Sequence, residues 1–194
     1  MIALGIDPGT LHLGWGVVSR TGTRLSHLGH GVIHLDGRDT IARRLTRIES
    51  EIGHVLSRFE PQVGSVESLF FHKDAQAAAK LGHARGVVLL CLDRAGVSIA
   101  EYAPARVKRT ITGSGRAEKR QVAQMVRAIL NLSEAPASDA ADALALAITH
   151  LRVGALIEAV EAARGSAAQG LLALLGARRR PRGRVRRAKA LQRR

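Results

Sequence analysis

From Ile2 to Ile6 the chain carries no polar side chain, and it then runs into Asp7-Pro8-Gly9. A strand with one wet face alternates apolar and polar residues, whereas an unbroken apolar run reads as a strand buried at the centre of a sheet. Pro8-Gly9 is turn chemistry that ends it. Leu13 to Ser19 and Arg24 to Leu35, separated by Thr21-Gly22, read as a hairpin that brings the antiparallel strands to three. From Thr40 to Phe59, Ile41, Leu45, Ile48, Ile52 and Val55 form one helical stripe, with Arg43, Arg44 and Arg47 off it. Val63 to Val66 is the next strand, ending at Glu67. Asp74 to Ala95 is an Ala-rich helix stopped by Gly96, and Val97 to Tyr102 is a fifth strand. Pro104 suits the first turn of a helix to Ile111, which Thr112-Gly113-Ser114-Gly115 breaks. Ala117 to Leu130 places Val122, Met125, Val126 and Ile129 on one face. Ser138 caps a helix to His150, with Leu144, Ile148 and Leu151 inward. This order predicts an α/β fold: a mixed five-stranded sheet, three antiparallel strands plus parallel strands, flanked by helices.

A chain of 194 residues is long enough for one cored domain and a tail. Thirty Lys and Arg against sixteen Asp and Glu give a net charge of +14, a balance that points to a polyanion, most often nucleic acid. The excess is concentrated at the end. Residues 1–154 hold 19 basic and 14 acidic residues, while from Arg178 to Arg194 nearly every second residue is basic and none is acidic. The expected organisation is a domain over 1–154 and an Ala/Gly-rich, then Arg-rich, flexible tail over 155–194. The single cysteine, Cys91, excludes an intrachain disulfide and suggests a cytoplasmic protein. No secretion signal is expected, because no basic stretch precedes the first apolar run. No membrane partner is expected either, since the best apolar run, Gly86 to Leu92, stops at Asp93.

Two acids end strands, Asp7 and Glu67, and two more, Asp139 and Asp142, are three apart at a helix start and share a face. Sites in open sheets gather beyond the carboxyl ends of parallel strands. Four carboxylates converging without Cys or His suit Mg²⁺, with Mn²⁺ as a substitute. Two such ions about 4 Å apart clamp a phosphodiester, one activating water and the other stabilising the leaving oxygen. Each acid also has a plainer reading: Asp7 as a turn residue, Glu67 as a strand-end surface charge, Asp139 and Asp142 as helix N-terminal charges.

Phe70-Phe71 follows Glu67 closely, either to stack on or wedge between bases or to continue a buried strand. Lys73, Arg85, Lys108, Arg116 and Lys119 recur near the acids, as DNA contacts or as solvated helix faces. Ala78, Gly82 and Gly86 make a smooth helical strip that permits close packing on the sheet or on a second subunit. A noncatalytic basic DNA-binding protein, or an ATPase of the actin and sugar-kinase type, which also opens with a strand and an Asp-x-Gly-Thr turn, are the rival readings.

The segments Gly5-Ile6-Asp7-Pro8-Gly9-Thr10, Val66-Glu67-Ser68-Leu69-Phe70-Phe71 and Lys80-Leu81-Gly82-His83-Ala84-Arg85-Gly86 occur in order. Tyr102-Ala103-Pro104, Val107-Lys108, residues 112–119 and Asp139-Ala140-Ala141-Asp142-Ala143-Leu144-Ala145 follow them. Together they resemble the RuvC family of bacterial Holliday junction resolvases over about residues 2–152. The resemblance implies an RNase H-like fold and a homodimer with two sites. It implies Mg²⁺-dependent cleavage, with two ions per active site, of two strands placed symmetrically across four-way junction DNA. The products would be ligatable 5′-phosphate and 3′-hydroxyl ends, and the partner the RuvA–RuvB branch-migration complex. Asp7, Glu67, Asp139 and Asp142 match the family's metal-binding catalytic acids, Phe70 its junction-centre aromatic, and Lys108 and Lys119 its basic residues at the cleaved strand. The chain departs at Ser68, where Gln or Glu is frequent, and at Ser114, where an aromatic often separates the glycines. It departs also at His83 for a frequent Gln, and at Asp139, where many relatives carry His.

Overall fold

A computed structural model describes residues 1–68 and 75–154, with side chains from residue 78 onward in the second stretch. The first compact unit is Met1–Ala155. The tail expected over 155–194 lies outside the described residues.

Five strands form one sheet in the order β3-β2-β1-β4-β5. β1 (Ile2–Asp7) is its centre, as its unbroken apolar run requires. It pairs antiparallel with β2 (His12–Thr21), which continues through a tight turn into β3 (Arg24–His34). On its other side β1 pairs parallel with β4 (Val63–Glu67), and β4 with β5 (Ser98–Tyr102). The turn uses Gly22 at φ 58°, a left-handed conformation that glycine adopts at little steric cost.

Helices cover both faces. On one, α1 (Ile41–Phe59) and α2 (Ala75–Arg94) pack over Leu4, Ile6, Leu13, Val17, Ile33 and Val66. Thr40 caps α1 by accepting from the Arg43 N–H, and Ile48, Ile52, Val55 and Leu56 are its buried stripe. On the other face lie α3 (Pro104–Thr112), α4 (Lys119–Leu130) and the helix here called α5, described over residues 138–154. Their core is Val107, Ile111, Val122, Val126, Leu130, Leu144, Ile148 and Leu151 with Ala3, Val18 and Val63 of the sheet.

Two expectations are corrected in detail. Met125, expected inward, is 40% exposed, because the buried stripe of α4 follows Val122, Val126 and Leu130 at steps of four, and Met125 falls beside it. Ser138 does not cap α5 but lies within it: the carbonyl of Ala137 accepts the Ala141 N–H, and the helix continues past His150.

Candidate active site

β1 and β4 run side by side, with Ile6 opposite Val66. The next residues, Asp7 and Glu67, therefore leave the sheet together at its carboxyl edge. Period-two alternation fixes their face. Ile6 and Val66 point into the α1–α2 core. Asp7 and Glu67 point to the other face, as do Ser65, whose hydroxyl donates to the Leu146 carbonyl at 3.0 Å, and Gly5.

What brings the third acid in is an absence of side chains. A Cβ on Gly5 would collide with the Ala143 carbonyl oxygen, one on Gly14 with that of Asp139, and one on Gly16 with the Leu144 side chain. Gly5 pairs with Gly16, and Asp7 with Gly14. These glycines make a bare floor on which the alanine-rich α5 rests backbone to sheet. From residue 140 to 151 every α5 residue is buried except Asp142 and His150, which are partly exposed. Asp142 is thereby carried to the strand ends. The sequence reading missed the glycine floor; its signal is the spacing of Gly14 and Gly16 on one face of β2, opposite Gly5 two residues before the acid.

The result is a cleft of about 260 Å³ lined by Asp7, Glu67, Asp142, Lys108, Lys119, Pro104, Val107, Val122 and Leu146. Burial, reinforced by the charges of Asp142 and Glu67, pushes the Asp7 carboxyl from its ordinary 3.8 up to about 7; Lys119 opposes this and Asp139 adds to it. Lys119 Nζ donates to Asp142 Oδ2 at 3.1 Å, which holds its ammonium above its usual range. The cleft thus combines three carboxylates with two lysines.

Asp139 acts on Asp7 through its charge but is not among the residues lining the cleft; it sits at the rim, where its carbonyl meets Gly14. Arg116 is exposed in the turn between α3 and α4, also outside the cleft lining. Arg85, expected as a DNA contact, is corrected: it is 6% exposed and committed inside the protein, because it lies on the sheet-facing side of α2. Phe70, Phe71 and Lys73 lie outside the described residues.

An all-oxygen donor set, with Asp7 pushed toward neutrality by burial and by the neighbouring Asp142 and Glu67 charges, has the chemistry that a hard divalent cation satisfies. Among the described residues no three His, Cys, Asp or Glu side chains already form a metal-holding group. In this geometry Lys119 supplies the positive charge beside Asp142.

Comparison with known proteins agrees with this architecture. The family model described as crossover junction endodeoxyribonuclease RuvC matches residues 3–150. A protein of that description from Sorangium cellulosum (strain So ce56) is 59% identical over 162 residues, covering 84% of this chain and 90% of the relative. One from Ruegeria pomeroyi is 47% identical over 154 residues, 79% and 93% of the two chains. Among solved structures, Thermus thermophilus RuvC in complex with a Holliday junction substrate superposes with a TM-score of 0.76 at 41% identity, covering 80% of this chain and 96% of that one. The yeast mitochondrial Holliday junction resolvase Ydc2, at 11% identity and a TM-score of 0.56, shares the fold.

Proposed function

The chain belongs to the RuvC family of crossover junction endodeoxyribonucleases, and from that premise we propose how its own residues cut a four-way junction. The enzyme is a metal-dependent nuclease that resolves Holliday junctions in DNA recombination and repair. This sets aside the noncatalytic and ATPase readings. The finer assignment is that Asp7, Glu67 and Asp142, with Asp139 at the rim, hold two Mg²⁺ ions, Mn²⁺ substituting. Bound divalent ions supply an activated water and a charge sink for the leaving oxygen.

The observation that carries this assignment is the convergence of Asp7, Glu67 and Asp142, from three separate elements, on one cleft. The residues of the chain do the placing. Asp7 and Glu67 leave adjacent strand ends on one face, and Asp142 is set opposite them by α5. Lys119 pairs with Asp142 at 3.1 Å and would compete with a divalent ion for that carboxylate. Lys108, which lines the same cleft, would face with Lys119 the phosphate of the strand being cut.

Resolution needs two cuts, and a two-fold protein matches the near two-fold junction, so the working unit is a homodimer. The exposed face of α2 supports it: a Cβ on Gly82 or Gly86 would meet no heavy atom within 4 Å, and Leu90 is 47% exposed. Phe70 acts at the opened junction centre, and Phe71, Lys73 and Arg116 are further DNA contacts. The RuvA–RuvB complex delivers the junction, in the cytoplasm at the nucleoid. The basic stretch within residues 155–194 adds nonspecific phosphate affinity; ending the chain at residue 154 is expected to flatten the salt dependence of binding, and an unaltered slope would refute that role.

The direct test is a synthetic four-way junction incubated with and without Mg²⁺, with both cuts mapped. Paired, symmetric, Mg²⁺-dependent incisions leaving 5′-phosphate ends are expected. Cutting of one strand only, or cutting without divalent metal, would refute the reading.

A further inference from the structure

We propose that Arg85 is a positioning residue for Glu67: its buried guanidinium, on the face of the sheet away from the cleft, fixes the backbone that carries this acid. The inference rests on the reading of Glu67 as a metal-holding carboxylate.

A guanidinium 6% exposed is costly to bury unless its donors are used and its charge is paired. Both conditions are met by the strands that bound the site. Nη1 donates to the Glu67 backbone carbonyl at 3.0 Å, and Nη2 lies 2.7 Å from Glu101 Oε2. Glu67 is on β4 and Glu101 on β5, neighbours in register with Val66 opposite Glu101. One rigid fork therefore joins α2 to the ends of two parallel strands.

The place of that grip matters. Pairing between β1 and β4 stops at Ile6 and Val66, so Glu67 stands one residue beyond the ladder on the side where Asp7 lies. On the other side its position is kept by β5, through the Glu67–Tyr102 pairing and the Ser68 N–H, which donates to the Tyr102 carbonyl at 3.0 Å. Arg85 takes over where the β1 ladder ends. Because α2 packs on the face away from the cleft, Arg85 holds the backbone from behind while the carboxylate stays on the cleft side. A displacement of about 1 Å in a reacting or metal-holding group can cost about a hundredfold in rate, and outer partners of metal ligands are commonly worth about 10–100-fold in affinity or activity.

The test compares full-length wild type, Arg85→Met, Arg85→Lys, Glu101→Gln and, as reference, Glu67→Gln. Three quantities are measured: Mn²⁺ affinity of the DNA-free protein by electron paramagnetic resonance, junction affinity without divalent metal, and single-turnover cleavage at saturating junction. For Arg85→Met, Mn²⁺ affinity should fall about tenfold and cleavage about 10–100-fold, with junction affinity unchanged within about twofold. Arg85→Lys should lie between it and wild type, since an ammonium keeps the charge but not the fork. Glu101→Gln should shift the same two quantities in the same direction by less. Loss of junction affinity in proportion to cleavage would make Arg85 a DNA contact and overturn the proposal. So would wild-type Mn²⁺ affinity in the Arg85 variants while Glu67→Gln is defective. If Arg85→Met does not fold, unchanged Mn²⁺ affinity in both Arg85→Lys and Glu101→Gln overturns it equally. Wild-type metal binding and cleavage in Glu67→Gln would instead remove the reading of Glu67 on which the proposal stands, and the proposal with it.

Discussion

The same strands meet helices in two opposite ways. Toward α1 and α2, β1 and β2 present Leu4, Ile6, Leu13 and Val17, all fully buried, and the helices answer with Ile48, Ile52, Val88 and Leu92. Toward α5, beyond the buried Ala3 and Val18, the alternate positions are Gly5, Gly14, Gly16 and, at the edge, Asp7. The first face is held by apolar volume, the larger source of stability per residue. The second gives up that volume so that a helix backbone can lie directly on the sheet, which places Asp142 beside strand-end acids. The second face has an apolar core of its own, with Ile111, Val122, Val126, Ile148 and Leu151, so only the strip beneath α5 near the acids trades side-chain volume for the placement of charge.

The sharpest way to break this contrast is to add one methyl group to the floor. Gly14→Ala puts a Cβ into the Asp139 carbonyl, where only backbone can give way. The expected cost is about 3 kcal/mol or more, seen as a large fall in urea midpoint together with loss of junction cleavage. Wild-type stability would mean that α5 does not lie on Gly14.

Next in size is the stored electrostatic cost of the site. Asp7 holds its proton to about pH 7 in the fold but to 3.8 ordinarily. The folded state thus binds the proton more tightly, and that contribution, complete below pH 3.8, is lost as pH rises through 7. Asp7→Asn should therefore stabilise the metal-free protein at pH 8, on the order of 2–4 kcal/mol, and flatten its stability between pH 4 and 7. Equal melting temperatures for the two proteins at pH 8 would show that burial and the neighbouring acids do not oppose ionisation of Asp7.

How much of this was legible in the sequence follows from the same contrast. The apolar run of β1 and the stripe of α1 are periodic signals in single residues, so the element order and central strand could be read directly. The acids could be named because their types and strand-end positions carry chemistry. The glycine floor could not, since a glycine's role depends on what approaches it, and Ala143 and Asp139 are more than a hundred residues away in sequence. Arg85 failed for a related reason: a basic residue near a proposed DNA site reads as a phosphate contact until its burial is known.

Smaller effects sharpen the picture. Ser65→Ala removes the one hydroxyl joining β4 to the Leu146 carbonyl beneath the cleft. It should cost about 1 kcal/mol, with a larger proportional loss of cleavage than of stability; a purely thermal effect would assign Ser65 to packing alone. Gly53→Ala, on the outer side of α1, meets nothing within 4 Å and has no positive φ. It should stabilise by about 0.5–1 kcal/mol through helix propensity, the reverse of Gly14→Ala. A destabilised Gly53→Ala would show that the outer side of α1 does not tolerate a methyl group.

The central claim concerns carboxylates working as one metal-holding group, and the most direct measurement is on Asp7→Asn with junction DNA. Junction affinity without metal should stay within a few-fold of wild type, while Mg²⁺-dependent incision falls by about a thousandfold or more. Incision at the wild-type rate by Asp7→Asn would contradict the account.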